Sequence, residues 1–94
     1  MRGLKDQGEL QPLTSAQIRA ARALIRWTAR DLARAAALGV ATVRRAELTE
    51  KETAMTAAND LAVRRALEAA GVEFIDENGG GPGVRLPKRQ HKKG

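Results

Sequence analysis

The chain has 94 residues and a formal net charge of +6, a length that holds one small domain with tails and a limited core. It has no cysteine and one histidine, His91, which excludes disulfides, thiolate metal sites and a histidine metal cluster. The charge is uneven: residues 14–87 carry eleven basic and nine acidic side chains, residues 1–13 balance, and residues 88–94 add Lys88, Arg89, Lys92 and Lys93, so overall basicity alone is a poor pointer to a nucleic-acid partner.

Residues 1–13 have two glycines, a proline and no apolar periodicity, and are expected to form a flexible leader. Thr14 and Gln17 have the spacing of a capping box for a first helix. Ile18, Ala21, Leu24 and Ile25 then supply a buried stripe at helical spacing. Trp27, the only tryptophan, is expected to fill the gap between the first two helices rather than to stack on a base.

The stretch Thr28–Leu48 reads as two short helices joined by a tight turn. Thr28 and Asp31 form a second capping box. Leu32, Ala33 and Ala36 make a small apolar face. The turn falls near Ala37–Leu38, and Gly39 starts the second helix, which runs through Val40, Thr42, Val43, Arg44, Arg45 and Glu47. If the helices cross steeply, Ala33, Leu38 and Val43 meet inside, and Val40, Ala41, Arg44 and Arg45 point outward.

Residues 49–56 form a polar connection in which Lys51 stands between Glu50 and Glu52. Thr56 caps a helix over Ala57–Ala70, with Asn59 and Asp60 suited to the positive end of its dipole. Leu61, Ala62, Arg65 and Ala66 share a side with Ala58 and Ala69. Leu61, Val63 and Leu67 do not lie on one narrow stripe, and such a wide apolar surface suits a helix that packs on the motif and also meets a partner subunit. Gly71 ends the helix. Val72–Ile75, a turn-rich link and Val84–Leu86 then read as a β-hairpin. The triple glycine is not a phosphate loop, because no Lys-Ser/Thr follows and no helix begins there. A lone hairpin is marginal in water, so it must pack on the helices or pair with a second copy. Residues 87–94 are expected to be a disordered basic tail, which attracts phosphates without regard to sequence or simply solubilises the chain.

On Ala33, Leu38, Val43 and Glu47, preceded by the helix-like Ile18–Trp27, the chain resembles the lambda Cro/repressor-like (XRE) helix-turn-helix family from Ile18 to about Ala70. It departs from the family in two places. Alanine stands at Ala37, where the family usually has a glycine of positive φ, at a cost of about 1 kcal/mol unless Gly39 takes that conformation instead. Alanine also stands at Ala29, where a glutamine often contacts DNA.

The resemblance implies a mainly α fold: a small four-helix Cro/repressor-like helix-turn-helix domain over residues 14–71 with a C-terminal β-hairpin over residues 72–86. It implies an ion pair between Arg22 and Glu47 that locks the second motif helix to the first helix of the domain. It places Thr28 and Arg30 near a DNA phosphate. Val40, Ala41 and Arg45 fall near base edges, and Gly39 and Arg44 closer to the backbone. Val40 and Ala41 then suit thymine methyls, Arg45 suits guanine, and Thr42 suits a base or a phosphate.

The function expected is a transcriptional regulator, a repressor acting as a homodimer on palindromic double-stranded DNA. The rival is an adaptor or antitoxin whose motif mainly binds a protein partner. No enzyme activity, cofactor or metal is expected, since no carboxylate pair stands in an apolar setting. With no membrane-length apolar run and no signal-peptide core, a cytoplasmic protein without membrane contact is expected.

Overall fold

The computed structural model of the chain describes residues 11–87. It contains four helices, α1 (Ser15–Ile25), α2 (Ala29–Ala36), α3 (Val40–Ala46) and α4 (Ala57–Ala69), and two strands, β1 (Glu73–Ile75) and β2 (Gly83–Arg85). Three helix starts are fixed by side-chain caps. Thr14 and Gln17 close a capping box on α1, Thr28 and Asp31 close another on α2, and the Thr56 hydroxyl accepts the Asn59 N–H on α4.

Three helix ends share a single device. Arg26, Ala37 and Gly71 are left-handed, with φ of 60°, 59° and 106°. The residue after each donates its N–H to the carbonyl five positions back: Trp27 to Arg22 (2.9 Å), Leu38 to Ala33 (2.9 Å) and Val72 to Leu67 (3.0 Å). This is the Schellman motif, and its usual apolar contact is present, since Trp27, Leu38 and Val72 all join the core. The turn between α2 and α3 is therefore built on a strained Ala37. Gly39 is an ordinary extended N-cap at φ −73° and ψ 146°.

Small side chains let the helices approach closely. Ala21, Ala33, Ala36 and Ala46 are buried together with Ile18, Leu32, Val43, Val63 and Leu67. α2 packs on both α3 and α4, and β2 packs on α1. The strands are antiparallel, with Glu73 opposite Arg85, Phe74 opposite Val84 and Ile75 opposite Gly83. Gln17 joins the hairpin to α1. Its Oε1 accepts the Thr14 N–H, while its Nε2 donates to the Gly83 carbonyl at 3.0 Å. The hairpin thus finds its support within the chain, and its paired residues lie one position earlier in the second strand than Val84–Leu86.

Several expectations are corrected. Leu13, assigned to the leader, is fully buried. Its N–H donates to Asp60 Oδ2 at 2.9 Å and its carbonyl accepts the Thr53 N–H at 3.2 Å. The packed domain therefore begins before Thr14. The leader through residue 10 and the tail from Lys88 lie outside the described residues.

Leu24, placed in the buried stripe of α1, is 41 % exposed. On α4, Val63 and Leu67 of the expected apolar surface are buried and Leu61 is half-buried, but Asp60 and Arg64 are buried with them, and Arg65 is exposed. Both polar members of that stripe have partners. Asp60 accepts from the Leu13 N–H and from the Thr53 hydroxyl. Arg64 donates to the Gln11 carbonyl at 3.0 Å and lies 5.0 Å from the centre of the Phe74 ring, with Glu68 and Asp76 within ion-pair range. Arg64 is thus a tie between α4, the hairpin and the incoming chain.

Candidate nucleic-acid interface

α3 has two distinct sides. Val43 and Ala46 are buried and Val40 and Thr42 are half-buried, while Ala41, Arg44 and Arg45 are exposed. The spacing from Ala41 to Arg44 and Arg45 keeps these three residues on one face of the helix, and Leu48 follows just past its C-cap, Glu47. Val40, expected to point outward, instead packs against the core from the first turn of α3. Leu38, expected in the buried seam, is half-buried between Ala33 and Val43 in sequence and belongs to the edge of the same core.

Arg44 and Arg45 take part in no ion pair and no side-chain hydrogen bond among the described residues, and the same holds for Arg30. Several other arginines on the helices are more committed: Arg22 to Glu47, Arg34 to Asp31, and Arg64 to its four partners, whereas Arg65 on α4 is exposed like Arg44 and Arg45.

The C-terminal end of α3 is held by α1. Arg22 Nε and Nη2 donate to the two Glu47 carboxylate oxygens at 2.6 and 2.8 Å, and Nη1 donates to the Trp27 carbonyl at 2.8 Å. The side chains are 22 % and 9 % exposed, so the pair is largely shielded from solvent. The hydrogen bond to Glu47 raises the Arg22 pKa, which keeps the guanidinium charged at any working pH.

The start of α2 is less open to an anion. The Thr28 hydroxyl accepts the Asp31 N–H at 3.0 Å, and the Thr28 N–H donates to Asp31 Oδ2 at 2.9 Å. The bond from the Thr28 backbone leads in lowering the Asp31 pKa, and the Thr28 side chain adds to it. A carboxylate thus already occupies the positive end of that helix. Arg30 is the cation beside it that remains exposed.

Beside the second half of α3 lies a groove of about 490 Å³ lined by Thr42, Arg45, Leu48, Met55 and Asn59, among others. Leu48 is 80 % exposed on its rim, the most exposed large apolar residue among those described. A second groove of about 490 Å³ lies between Gln11–Pro12 and Glu50–Glu52 and is also lined by Glu77. Its carboxylates make it a poor neighbour for phosphate. Among the described residues, no group of His, Cys, Asp and Glu side chains could hold a metal ion, and no helix is long and apolar enough to cross a membrane.

Two residues that touch α3 carry no local signal of doing so. The Ser15 hydroxyl donates to the Ala46 carbonyl and also contacts the Thr49 hydroxyl. Arg19 Nη1 donates to the Glu47 carbonyl at 2.5 Å. A serine opening a helix and an arginine on its exposed side read as solvated from sequence, and their partners lie 31 and 28 residues away. Comparison of the chain with family models, with curated proteins and with solved structures found no match.

Proposed function

We propose that this chain is a sequence-specific DNA-binding regulator of the lambda Cro/repressor-like kind, a repressor that acts as a dimer on a palindromic operator. One observation carries the reading. A short helix buries one side against its neighbours, is clamped at its end by a shielded Arg22–Glu47 pair, and leaves Ala41, Arg44 and Arg45 outward with no competing partner among the described residues. Two unpaired guanidiniums on a rigid, narrow helix suit a major groove, which admits one α-helix and offers guanine O6 and N7 as a bidentate acceptor.

In this reading Arg45 selects guanine, Ala41 lies against a thymine methyl, and Arg44 meets the phosphate backbone. Val40 and Thr42, half-buried, make the closest approach at the edge of the groove. Gly39 lets the backbone come near a phosphate. Arg30 replaces the missing contact at Ala29, while Thr28 serves the helix cap first. One copy touches few base pairs. A two-fold pair with half-sites about one helical turn, ~34 Å, apart doubles the contacts.

The test is quantitative binding to genomic fragments, beginning with the region upstream of the chain's own gene, at several salt concentrations. Arg45→Ala is expected to relax the preference for guanine in each half-site, at about 1–3 kcal/mol per contact. Equal losses on every sequence would make Arg45 a phosphate ligand instead.

An adaptor that binds a protein through the same face is the second reading, and Leu48 favours it: an apolar side chain 80 % exposed beside a groove is unusual for a surface that meets only DNA. Absence of a gel shift on every fragment at low salt would move the assignment there.

A further inference from the structure

We propose that Ser15, Arg19 and Arg22 form a polar ladder on α1 that sets the orientation of α3, and that Arg19 is thereby a positioning residue for base selection. The inference rests on the DNA-binding reading above and deepens it.

The three residues recur at four and then three positions, so they stand above one another on one face of α1. Each reaches the last turn of α3 or its cap. The Ser15 hydroxyl donates to the Ala46 carbonyl. Arg19 Nη1 donates to the Glu47 carbonyl at 2.5 Å. Arg22 donates twice to the Glu47 carboxylate at 2.6 and 2.8 Å. Ala46 and Glu47 lie at the helix end, where carbonyls lack partners within the helix. That end also carries the negative pole of the helix dipole, which two guanidiniums complement.

The other side of α3 is held differently. Val40 and Val43 pack into the core alongside α2 side chains, and its cap, Gly39, makes no side-chain hydrogen bond. Apolar contacts are not directional. They keep the helix down but leave its roll and tilt soft. Hydrogen bonds are directional, so the ladder at one end fixes the roll, and with it the direction in which Arg44 and Arg45 point. A bidentate contact from Arg45 to a base tolerates little error in that direction.

Within the ladder, Arg19 is the rung that can be removed cleanly. Ser15 is fully buried and Glu47 nearly so, whereas Arg19 is exposed. Truncating Arg19 returns one carbonyl to water and strands no buried charge. Arg22→Ala, by contrast, strands Glu47.

The experiment compares the wild type, Arg19→Met and Arg19→Lys. Amide hydrogen exchange and backbone chemical shifts are read without DNA, and binding is read on the best operator and on copies altered at the guanine opposite Arg45. Arg19→Met is expected to speed exchange at Glu47 and Leu48, whose N–H groups bond to Val43, Arg44 and Arg45. It is also expected to reduce discrimination at that base about fivefold, as when a bidentate contact loses one of its two bonds. Non-specific affinity and the salt slope stay unchanged. Arg19→Lys, whose ammonium can still donate to the Glu47 carbonyl, restores both.

Unchanged exchange and shifts across α3 in Arg19→Met would overturn the ladder whatever DNA does. A uniform loss on all sequences with a salt slope reduced by about one would make Arg19 a phosphate ligand and overturn its positioning role. Faster exchange in a protein that binds no fragment would overturn the base-selection role together with the regulator reading, while the anchoring of α3 would stand.

Discussion

Replacing Ala37 with glycine should stabilise the protein, although it puts the poorest helix former but proline at the end of a helix. Ala37 sits at φ 59° and ψ 43°, where its N–H bonds to the Arg34 carbonyl at 3.2 Å and the next N–H, from Leu38, bonds to Ala33 at 2.9 Å. An L-residue with a Cβ pays about 1–2 kcal/mol for that conformation. Glycine removes the penalty but costs about 0.4–1 kcal/mol in unfolded-state entropy. The side chain lost is one exposed methyl, so burial contributes little. The net gain is about 0.5–1 kcal/mol, or roughly 2–8 °C in Tm for a domain this small. Ala35→Gly is the control. Ala35 is exposed in the last turn of α2 with helical geometry, and glycine there costs about 0.5–1 kcal/mol. Two identical substitutions two residues apart should therefore act in opposite directions in urea and thermal unfolding, with the denaturant slope unchanged. If Ala37→Gly is neutral or destabilising while Ala35→Gly behaves as expected, the turn does not rest on a strained Ala37.

Arg22→Ala should cost about 2–4 kcal/mol in urea unfolding, slightly under the value for a fully buried pair because the guanidinium is 22 % exposed. The double variant with Glu47→Ala should recover part of the loss, and strict additivity would mean that the pair has no coupling. In acid, stability should fall as pH drops below about 4. Asp31 is held below its ordinary 3.8 by the Thr28 bonds and Glu73 below its ordinary 4.5 by Arg85, so each contributes above the ordinary value and loses that contribution as pH passes down through the lowered one. The pair of substitutions Asp31→Asn and Glu73→Gln should flatten the Tm profile between pH 5 and pH 2, and an unaltered acid slope would refute the assignment.

What could be read from the sequence was local. Thr14 with Gln17, Thr28 with Asp31, and Thr56 are caps whose partners lie three residues away, and Gly71 announces a left-handed helix end by its type. The same device at Arg26 and Ala37 has no such announcement in residue type, because neither residue favours positive φ, and at Ala37 only the resemblance pointed to it. What marks all three ends is the residue that follows: Trp27, Leu38 and Val72 are apolar and join the core. Burying that side chain turns the chain back sharply enough to force the preceding residue into the left-handed region. The strain at Ala37 is therefore a consequence of seating Leu38, and the sequence signal lies one position after the one that propensity inspects.

The burial of Asp60 and Arg64 on α4, which the apolar pattern does not announce, has a related cause. Apolar periodicity cannot detect a stripe whose first and third members are Asp60 and Arg64. Those two can be buried only because Leu13 and Thr53, 47 and 7 residues from Asp60, and Gln11, 53 residues from Arg64, supply their hydrogen bonds. Arg22 and Glu47, 25 residues apart, were legible only through the resemblance. Net charge within the fold is small, yet Arg22, Arg34, Arg64 and Arg85 each face a carboxylate. Once those are neutralised, Arg44 and Arg45 remain as adjacent, exposed cations on a helix whose nearest carboxylate, Glu47, is already bound to Arg22. Positive potential on the outward face of α3 thus follows from where the acids are spent, and a substitution that frees Glu47 would weaken that potential even without moving either arginine.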